Sequence, residues 1–300
     1  MNLRKTQACS WCFDLFLAGV AVFGLAVAYP SFSVGGWWNL LGASALIGEV
    51  LLFFGIFITP KNLTVKTYRM ELRKNNPVWL RIVLLSDLHA GGFHDLDWYS
   101  RIVNEVNSQK PDVILLAGDY VVDHAGSMNL LKPLSALKAS LGSYFVLGNH
   151  DYLDRPQEIR QALVDWGFCD LSNQSKILEY REQNLEIQGV DDSWSGYPKK
   201  FKRKGMDVPH ITLCHEPDCV MDLKEGDTDL VLSGHTHGGQ VRLPVIGPLW
   251  PIPSKLGSKL DRDLKIVNGV KCIISSGLGE TDGRLRLFSP PQIVVVEVGI

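Results

Sequence analysis

Neither sign of charge dominates this 300-residue chain, in which 30 basic residues stand against 32 acidic ones for a formal net charge of -2. That balance excludes the whole-surface attraction to nucleic acid that a strongly basic domain would show, so no nucleic-acid partner is expected. Cysteine is sparse too. The six residues Cys9, Cys12, Cys169, Cys214, Cys219 and Cys272 lack the density and regular spacing of a disulfide scaffold, which points to a reducing compartment. Cys9 and Cys12 form a C-x-x-C without a second pair or a nearby histidine, a poor zinc or redox signal. Internal repeats and low-complexity tracts are absent, and the length suits one large globular domain plus something extra.

Charge is also missing locally. Leu15 to Tyr29 carries none, and Trp37 to Ile58 has only Asn39 and Glu49 as strongly polar members. These stretches read as two membrane spans, about 11–29 and 37–58, forming a hairpin over residues 1–60. A rival reading makes the first a secretory signal, with Arg4 and Lys5 ahead of it and Ala26-Val27-Ala28 as its cleavage site. Lys61, Lys66 and Arg69 follow the hairpin while the connecting segment 30–36 is uncharged, so the bulk of the chain is expected on the cytoplasmic side. Trp37 and Trp38 fall where an interfacial belt would lie, and Glu49 needs a partner if it enters hydrocarbon.

Beyond Pro60 the texture turns to short apolar runs separated by amphipathic segments, an α/β pattern occupying 61–300. Strands are expected within Leu63–Leu72, Ile82–Leu85, Val113–Ala117, Tyr144–Leu147, Leu185–Val190, Ile211–Cys214, Leu230–Ser233, Lys271–Ser275 and Ile293–Val298. Helices are expected at Leu96–Asn107, with Leu96, Tyr99, Ile102, Val103 and Val106 on one face, and at Pro156–Trp166, opened by proline and followed by Gly167.

Five of these apolar runs lead directly into clusters of Asp, His, Asn and Gly: Asp87-Leu88-His89, Gly118-Asp119, Gly148-Asn149-His150-Asp151, His215-Glu216-Pro217 and Gly234-His235-Thr236-His237. Ligands of open α/β sheets gather beyond the carboxyl ends of strands, so the five clusters should meet in one site. Carboxylates, imidazoles and an amide oxygen make a mixed O/N set suited to Mn²⁺, Fe or Zn²⁺. Seven ligands overfill one shell, whereas two divalent ions sharing a carboxylate use them all. Such a pair activates water against phosphorus, which implies hydrolysis of a phosphate ester. Singly, each cluster reads equally as a cap or a turn; the ordered set of five does not.

In these residues the chain resembles the calcineurin-like metallophosphoesterase superfamily, whose pattern is D-x-H, GD, GNH[DE], H and GH-x-H in this order. The resemblance implies a four-layer α/β/β/α sandwich of two mixed sheets. It implies one metal held by Asp87, His89, Asp119 and His237, and another held by Asp119, Asn149, His215 and His235, with Asp119 bridging. His150 would protonate the leaving oxygen or steady phosphoryl charge, and Asp151 would orient it. Mn²⁺ is the expected ion. The second motif lacks the arginine of the protein serine/threonine phosphatases and reads Gly118-Asp119-Tyr120-Val121-Val122-Asp123-His124. The run from Gly234 to Pro244, with Gly277-Leu278-Gly279 and Arg286 before Pro290, looks like a branch of bacterial membrane-anchored phosphoesterases.

Some members of that branch are UDP-2,3-diacylglucosamine pyrophosphatases of lipid A synthesis. The resemblance therefore implies an amphiphilic phosphate-ester substrate at the bacterial inner membrane, with Arg284 or Arg286 clamping its phosphate. The basic run Lys199, Lys200, Lys202, Arg203, Lys204 reads either as an anionic head-group contact or as a solvated loop. Two other functions stand beside this one: a tethered general or cyclic-nucleotide phosphodiesterase, and a non-catalytic scaffold. His94, His124 and His210 match no ligand position and read as packing or surface histidines.

Overall fold

The structure is a computed structural model that describes residues 3–34, 36–73, 76–199, 203, 205 and 207–300, with side chains at 15 and from 18 onward. The side chains of Cys9 and Cys12, and Lys200, Lys202 and Lys204 of the basic run, lie outside the described set. Helix α1 runs Leu3–Val34, straight through Pro30. The expected break there does not occur. Proline removes one backbone donor from the helix, and beside it Ser31 Oγ donates to the Val27 carbonyl at 2.7 Å. Helix α2, Trp38–Phe53, continues as a π-helical turn over Phe54–Ile58 and a 3₁₀ turn over Thr59–Lys61. Among the described residues one helical stretch, Trp38–Lys61, is long and apolar enough to cross a membrane, and Ala18–Val34 is a shorter apolar helix. Of the two expected spans, the second meets the length and composition requirement among the described residues, while most side chains of residues 11–17 in the first lie outside the described set. Glu49 lies against Gly24 of α1, where a Cβ would overlap its carboxyl.

After β1 (Thr64–Glu71) and β2 (Trp79–Leu85) come α3 (Leu96–Ser108), β3 (Val113–Leu116), β4 (Ser143–Phe145), α4 (Pro156–Asp165) and β5 (Cys169–Asp170). Then follow β6 (Gln174–Tyr180), β7 (Gln183–Gly189), β8 (His210–Leu213), β9 (Leu230–Ser233) and a small hairpin, β10 (Arg242–Leu243) with β11 (Gly247–Pro248). The chain closes with β12 (Asp263–Val267), β13 (Val270–Ile274) and β14 (Gln292–Gly299). Helix α3 begins where Asp95 accepts a hydrogen bond from the Trp98 N–H at 3.1 Å, and it buries Tyr99, Ile102, Val103 and Val106 of the expected face, while Leu96, in the first turn, is left exposed.

One sheet has the order β1-β14-β2-β3-β4-β5 and the other β12-β13-β9-β8-β7-β6; each mixes parallel and antiparallel pairs. Strands β2, β3, β8 and β9 are buried on both faces, which is why they appear as unbroken apolar runs. Between the sheets Ile82, Leu84, Leu115, Leu213, Leu232 and Val296 form one core. Truncating such positions to alanine typically costs ~2–5 kcal/mol, so this layer holds the two sheets in fixed register. Helix α3 and α4 cover the outer face of the first sheet through Ile102, Val106, Ile159 and Leu163. The second sheet is covered more thinly, by the 3₁₀ turns Pro217–Asp222 and Gly257–Leu260, which bring Val220 and Leu260 onto Val231 and Ile274. Two mixed sheets face to face are the expected architecture. Cys214 and Cys219, which the sequence reading left unpaired, are joined as a disulfide at the end of β8.

Candidate metal centre

Strands β2, β3 and β4 run parallel in one sheet, and β7, β8, β9 and β13 run parallel in the other. The carboxyl ends of the first three and of β8 and β9 deliver all five clusters to one rim. His89 Nε2 stands 3.0 Å from His237 Nε2 and 3.6 Å from Asp119 Oδ2. His237 Nε2 is 3.6 Å from Asp87 Oδ1. His215 Nε2 is 3.2 Å from Asp119 Oδ2 and 3.2 Å from Asn149 Oδ1, while His235 Nδ1 is 3.2 Å from His215 Nε2. The seven sequence-predicted ligands therefore converge: Asp87–His89–His237 and Asp119–His215–His235 form two groups, Asn149 stands against His215, and a third group, His89–Asp119–His150, shares a member with each of the first two.

Backbone geometry is bent to this end. Asp87, His89, Asp119, His235 and His237 all have positive φ, between 45° and 71°, at a cost on the order of 1 kcal/mol each. Interlocking bonds hold them there: the Asp87 N–H donates to the Gly118 carbonyl at 3.0 Å, and the His235 N–H donates to Asp87 Oδ1 at 3.0 Å. Glycine is required at 148 by close approach. A Cβ there would overlap the Asp119 carboxylate and come within 2.8 Å of His215 Cε1.

The donor set fits divalent cations. Two imidazole Nε2 atoms 3.0 Å apart, each also facing a carboxylate oxygen, leave lone pairs aimed at common points. His215 Nδ1 pairs with the Ala117 carbonyl at 2.6 Å, and His237 Nδ1 lies 3.1 Å from the Gly279 carbonyl and 3.3 Å from the Arg286 guanidinium, so both rings are held with Nε2 turned to the cluster. His89 Nδ1 and His235 Nε2 are buried without a partner. Burial drives the pKa of His89 down to about 3 and of His235 to about 4, and pushes His237 well below the usual histidine range, keeping all three neutral.

Asp87 follows the same trend, whereas Asp119 and His215 move against their burial. Burial lifts Asp87 to about 6. His215, against its own burial, is charged by the facing Asp119 and held well above the usual range, while Asp119, in spite of burial, is pulled below the carboxylate range by His215. A cation entering the metal-free site must displace the protons on Asp87 and His215. Below its pKa a displaced proton weakens binding about tenfold per pH unit, so Mn²⁺ affinity is expected to fall at least tenfold between pH ~7.5 and pH ~5.5. Calorimetric titration at the two pH values checks this; affinity that is level or tighter at the lower pH would contradict the protonation pattern.

Two sequence expectations are corrected. Asp151 does not face the His150 ring: its buried carboxylate accepts from the N–H groups of Gly148, Asp119 and Tyr120 at 2.8–2.9 Å and fixes the Asp119 loop. The His150 ring is instead oriented by the Val122 carbonyl, 2.5 Å from Nδ1, which leaves Nε2 toward the cluster. Arg286 is wholly buried and cannot clamp substrate. It bonds the carbonyls of Ser276 and Ser289 at 3.0 and 2.9 Å and pairs with Glu280 at 3.2 Å, bracing the Gly279 segment that holds His237. Arg284 lies over the Phe93 ring and lines a cavity with Glu49 and Phe57. Arg203, from the basic run, is bonded to both oxygens of Asp229 at 3.1 and 2.9 Å.

Other residues here were not assigned from sequence. Trp194 presents its face or edge to His235 with ring centroids 4.6 Å apart. Glu216, directly after His215, sits beside Asp192, whose carboxyl burial and the neighbouring Glu216 push up to about 8. His94 stacks on Trp98 and stands 2.9 Å from Glu280, a packing role as expected. Next to the cluster opens a cavity of about 470 Å³ walled by His235, His237, Gln240, Val241, Trp250 and Leu285.

The description of calcineurin-like phosphoesterases matches residues 80–239, just over half of the chain. Phosphodiesterase YaeI of Escherichia coli is 30% identical over 240 residues, which cover 77% of this chain and 86% of that protein. The uncharacterized metallophosphoesterase YkuE of Bacillus subtilis is 27% identical, with 87% and 94% covered. A transmembrane protein with metallophosphoesterase domain from Danio rerio is 33% identical over 180 residues, 54% of this chain and 41% of that one. With its motifs gathered at one rim of two mixed sheets, the chain belongs to the calcineurin-like phosphoesterase family and is a metallophosphoesterase.

Proposed function

We propose that the chain hydrolyses a phosphodiester or pyrophosphate bond in a lipid-linked substrate at the cytoplasmic face of a membrane, with UDP-2,3-diacylglucosamine as the candidate. The observation that carries this reading is a carboxylate–imidazole cluster opening on an apolar-walled cavity, beside the one helical stretch that is both long and apolar enough to span a membrane among the described residues. The Danio rerio relative, a transmembrane protein, supports anchorage, and the Escherichia coli relative, a phosphodiesterase, supports diester cleavage.

In this reading Asp87, His89, Asp119 and His237 would hold one divalent ion, and Asp119, Asn149, His215 and His235 the other. Mn²⁺ suits the set, as do Fe and Zn²⁺. Bound there, such ions lower the pKa of water and neutralise phosphoryl charge. His150, oriented through Nδ1, presents Nε2 to protonate the leaving oxygen. Asp151 acts through the backbone, keeping Asp119 in place.

Full-length protein with Mn²⁺ is expected to cleave both bis-p-nitrophenyl phosphate and UDP-2,3-diacylglucosamine presented in mixed micelles, the products being resolved by mass spectrometry. Removing residues 1–60 should reduce turnover of the lipid far more than that of the chromogenic ester. Equal reductions, or turnover of the ester but of no nucleotide-linked lipid, would favour the tethered general phosphodiesterase.

A further inference from the structure

The end of the apolar helix and the metal centre meet at one short segment. The Arg286 N–H donates to the Gly55 carbonyl at 2.9 Å, and a Cβ at Gly55 would come within 2.5 Å of Leu285 Cδ1. On its other side the same segment is tied to the β10–β11 hairpin: the Leu287 N–H donates to the Gln240 carbonyl at 2.9 Å, and the Arg242 N–H to the Leu287 carbonyl at 3.0 Å. Leu285 also walls the cavity beside His235 and His237.

Helix geometry sets the depth of this junction. The 24 residues Trp38–Lys61 would measure about 36 Å as α-helix, against a hydrocarbon core of ~30 Å. Gly55 precedes Lys61 by six residues, about 9 Å, so with the overhang shared between the two ends it sits roughly 6 Å inside the hydrocarbon edge. Whatever bonds Gly55 must lie at that level. Irregular backbone survives there only if its donors are paired within the protein, and the N–H groups of Leu285, Arg286 and Leu287 all are.

The neighbouring hairpin is built for the same surroundings. From Leu243 to Ser254 the chain has no charged residue, and Pro244, Pro248, Pro251 and Pro253 carry no N–H that would need water. Its tip is bare: Val245 is fully exposed, Ile246 is 71% exposed and Trp250 65%. A charge-free, tryptophan-bearing turn held beside the end of a membrane-length helix matches the acyl boundary of a bilayer.

We propose that the Pro244–Trp250 turn dips into the bilayer beside α2, so that the cavity at the metal centre opens against lipid rather than water. This rests on the membrane-anchored reading given above. A substrate's acyl part would then reach the site without leaving the membrane.

The test uses full-length Val245→Trp protein reconstituted in phosphatidylcholine vesicles with ordinary or brominated acyl chains. Turnover of bis-p-nitrophenyl phosphate at the wild-type rate shows that the variant is folded. The emission added by the new tryptophan, taken as the difference from wild type, is expected to be blue-shifted and roughly halved by brominated chains, as for a side chain ~5–10 Å into the acyl boundary. Added emission that is red and unquenched, from protein that still sediments with vesicles after carbonate washing, would overturn the proposal and leave the anchor standing. Protein released by carbonate would overturn the anchor and the proposal together.

Discussion

Replacing Asp119 with alanine is expected to lower turnover of bis-p-nitrophenyl phosphate by at least about 10³-fold, since loss of metal-derived charge stabilisation amounts to several kcal/mol at 1.36 kcal/mol per decade of rate. Of the ligands proposed here, Asp119 alone faces histidines of both groups: its Oδ2 is 3.6 Å from His89 Nε2 and 3.2 Å from His215 Nε2. Its loss strips charge from both proposed positions at once. Asp119→Asn keeps the shape and the backbone acceptance of the loop but not the charge, and should fall nearly as far. Thermal unfolding of both variants, followed by circular dichroism, separates a lost ligand from a lost fold. Wild-type activity in either would remove the site assignment.

His150→Ala has a different expected signature. General acid catalysis contributes ~10²–10⁴-fold, and only where the leaving oxygen needs a proton. The reduction should therefore approach that range for an alkyl phosphodiester and be much smaller for p-nitrophenolate, which leaves unprotonated. Metal content should stay at the wild-type level, because the seven proposed ligands are intact. Equal losses on both esters would assign His150 to charge stabilisation, and a loss of metal would make it a ligand.

Much of the site was legible because it is written at strand ends. An apolar run buried on both faces is conspicuous, and so is a polar cluster directly behind it; β2, β3, β8 and β9 each end in such a cluster. What escaped depends on side-chain direction, which spacing does not encode. Asp151 follows His150 in sequence, yet the tight turn aims its carboxylate at three backbone N–H groups instead of at the ring. Arg286 looked like a free cation near the rim but is enclosed by the Ser276 and Ser289 carbonyls and Glu280.

The fold shows the same division. Edge strand β12 alternates half-buried and exposed residues, β6 is mostly exposed apart from Leu178, and each bonds to a single neighbour, so they lack the continuous apolar signal of the central strands. Helix α1 passes through Pro30, where the sequence reading placed the start of a connecting segment. The hairpin tip at Val245 was visible only as part of a family-like run; its exposure, and its attachment to Gly55 through the Leu285–Leu287 segment, emerge from three-dimensional proximity.

The most direct test of the account is anomalous X-ray diffraction from crystals of the full chain grown with Mn²⁺. Two peaks ~3.5–4 Å apart, with the Asp119 carboxylate between them and the two ligand groups on either side, are the predicted result. A single peak away from Asp119, or none, would contradict it.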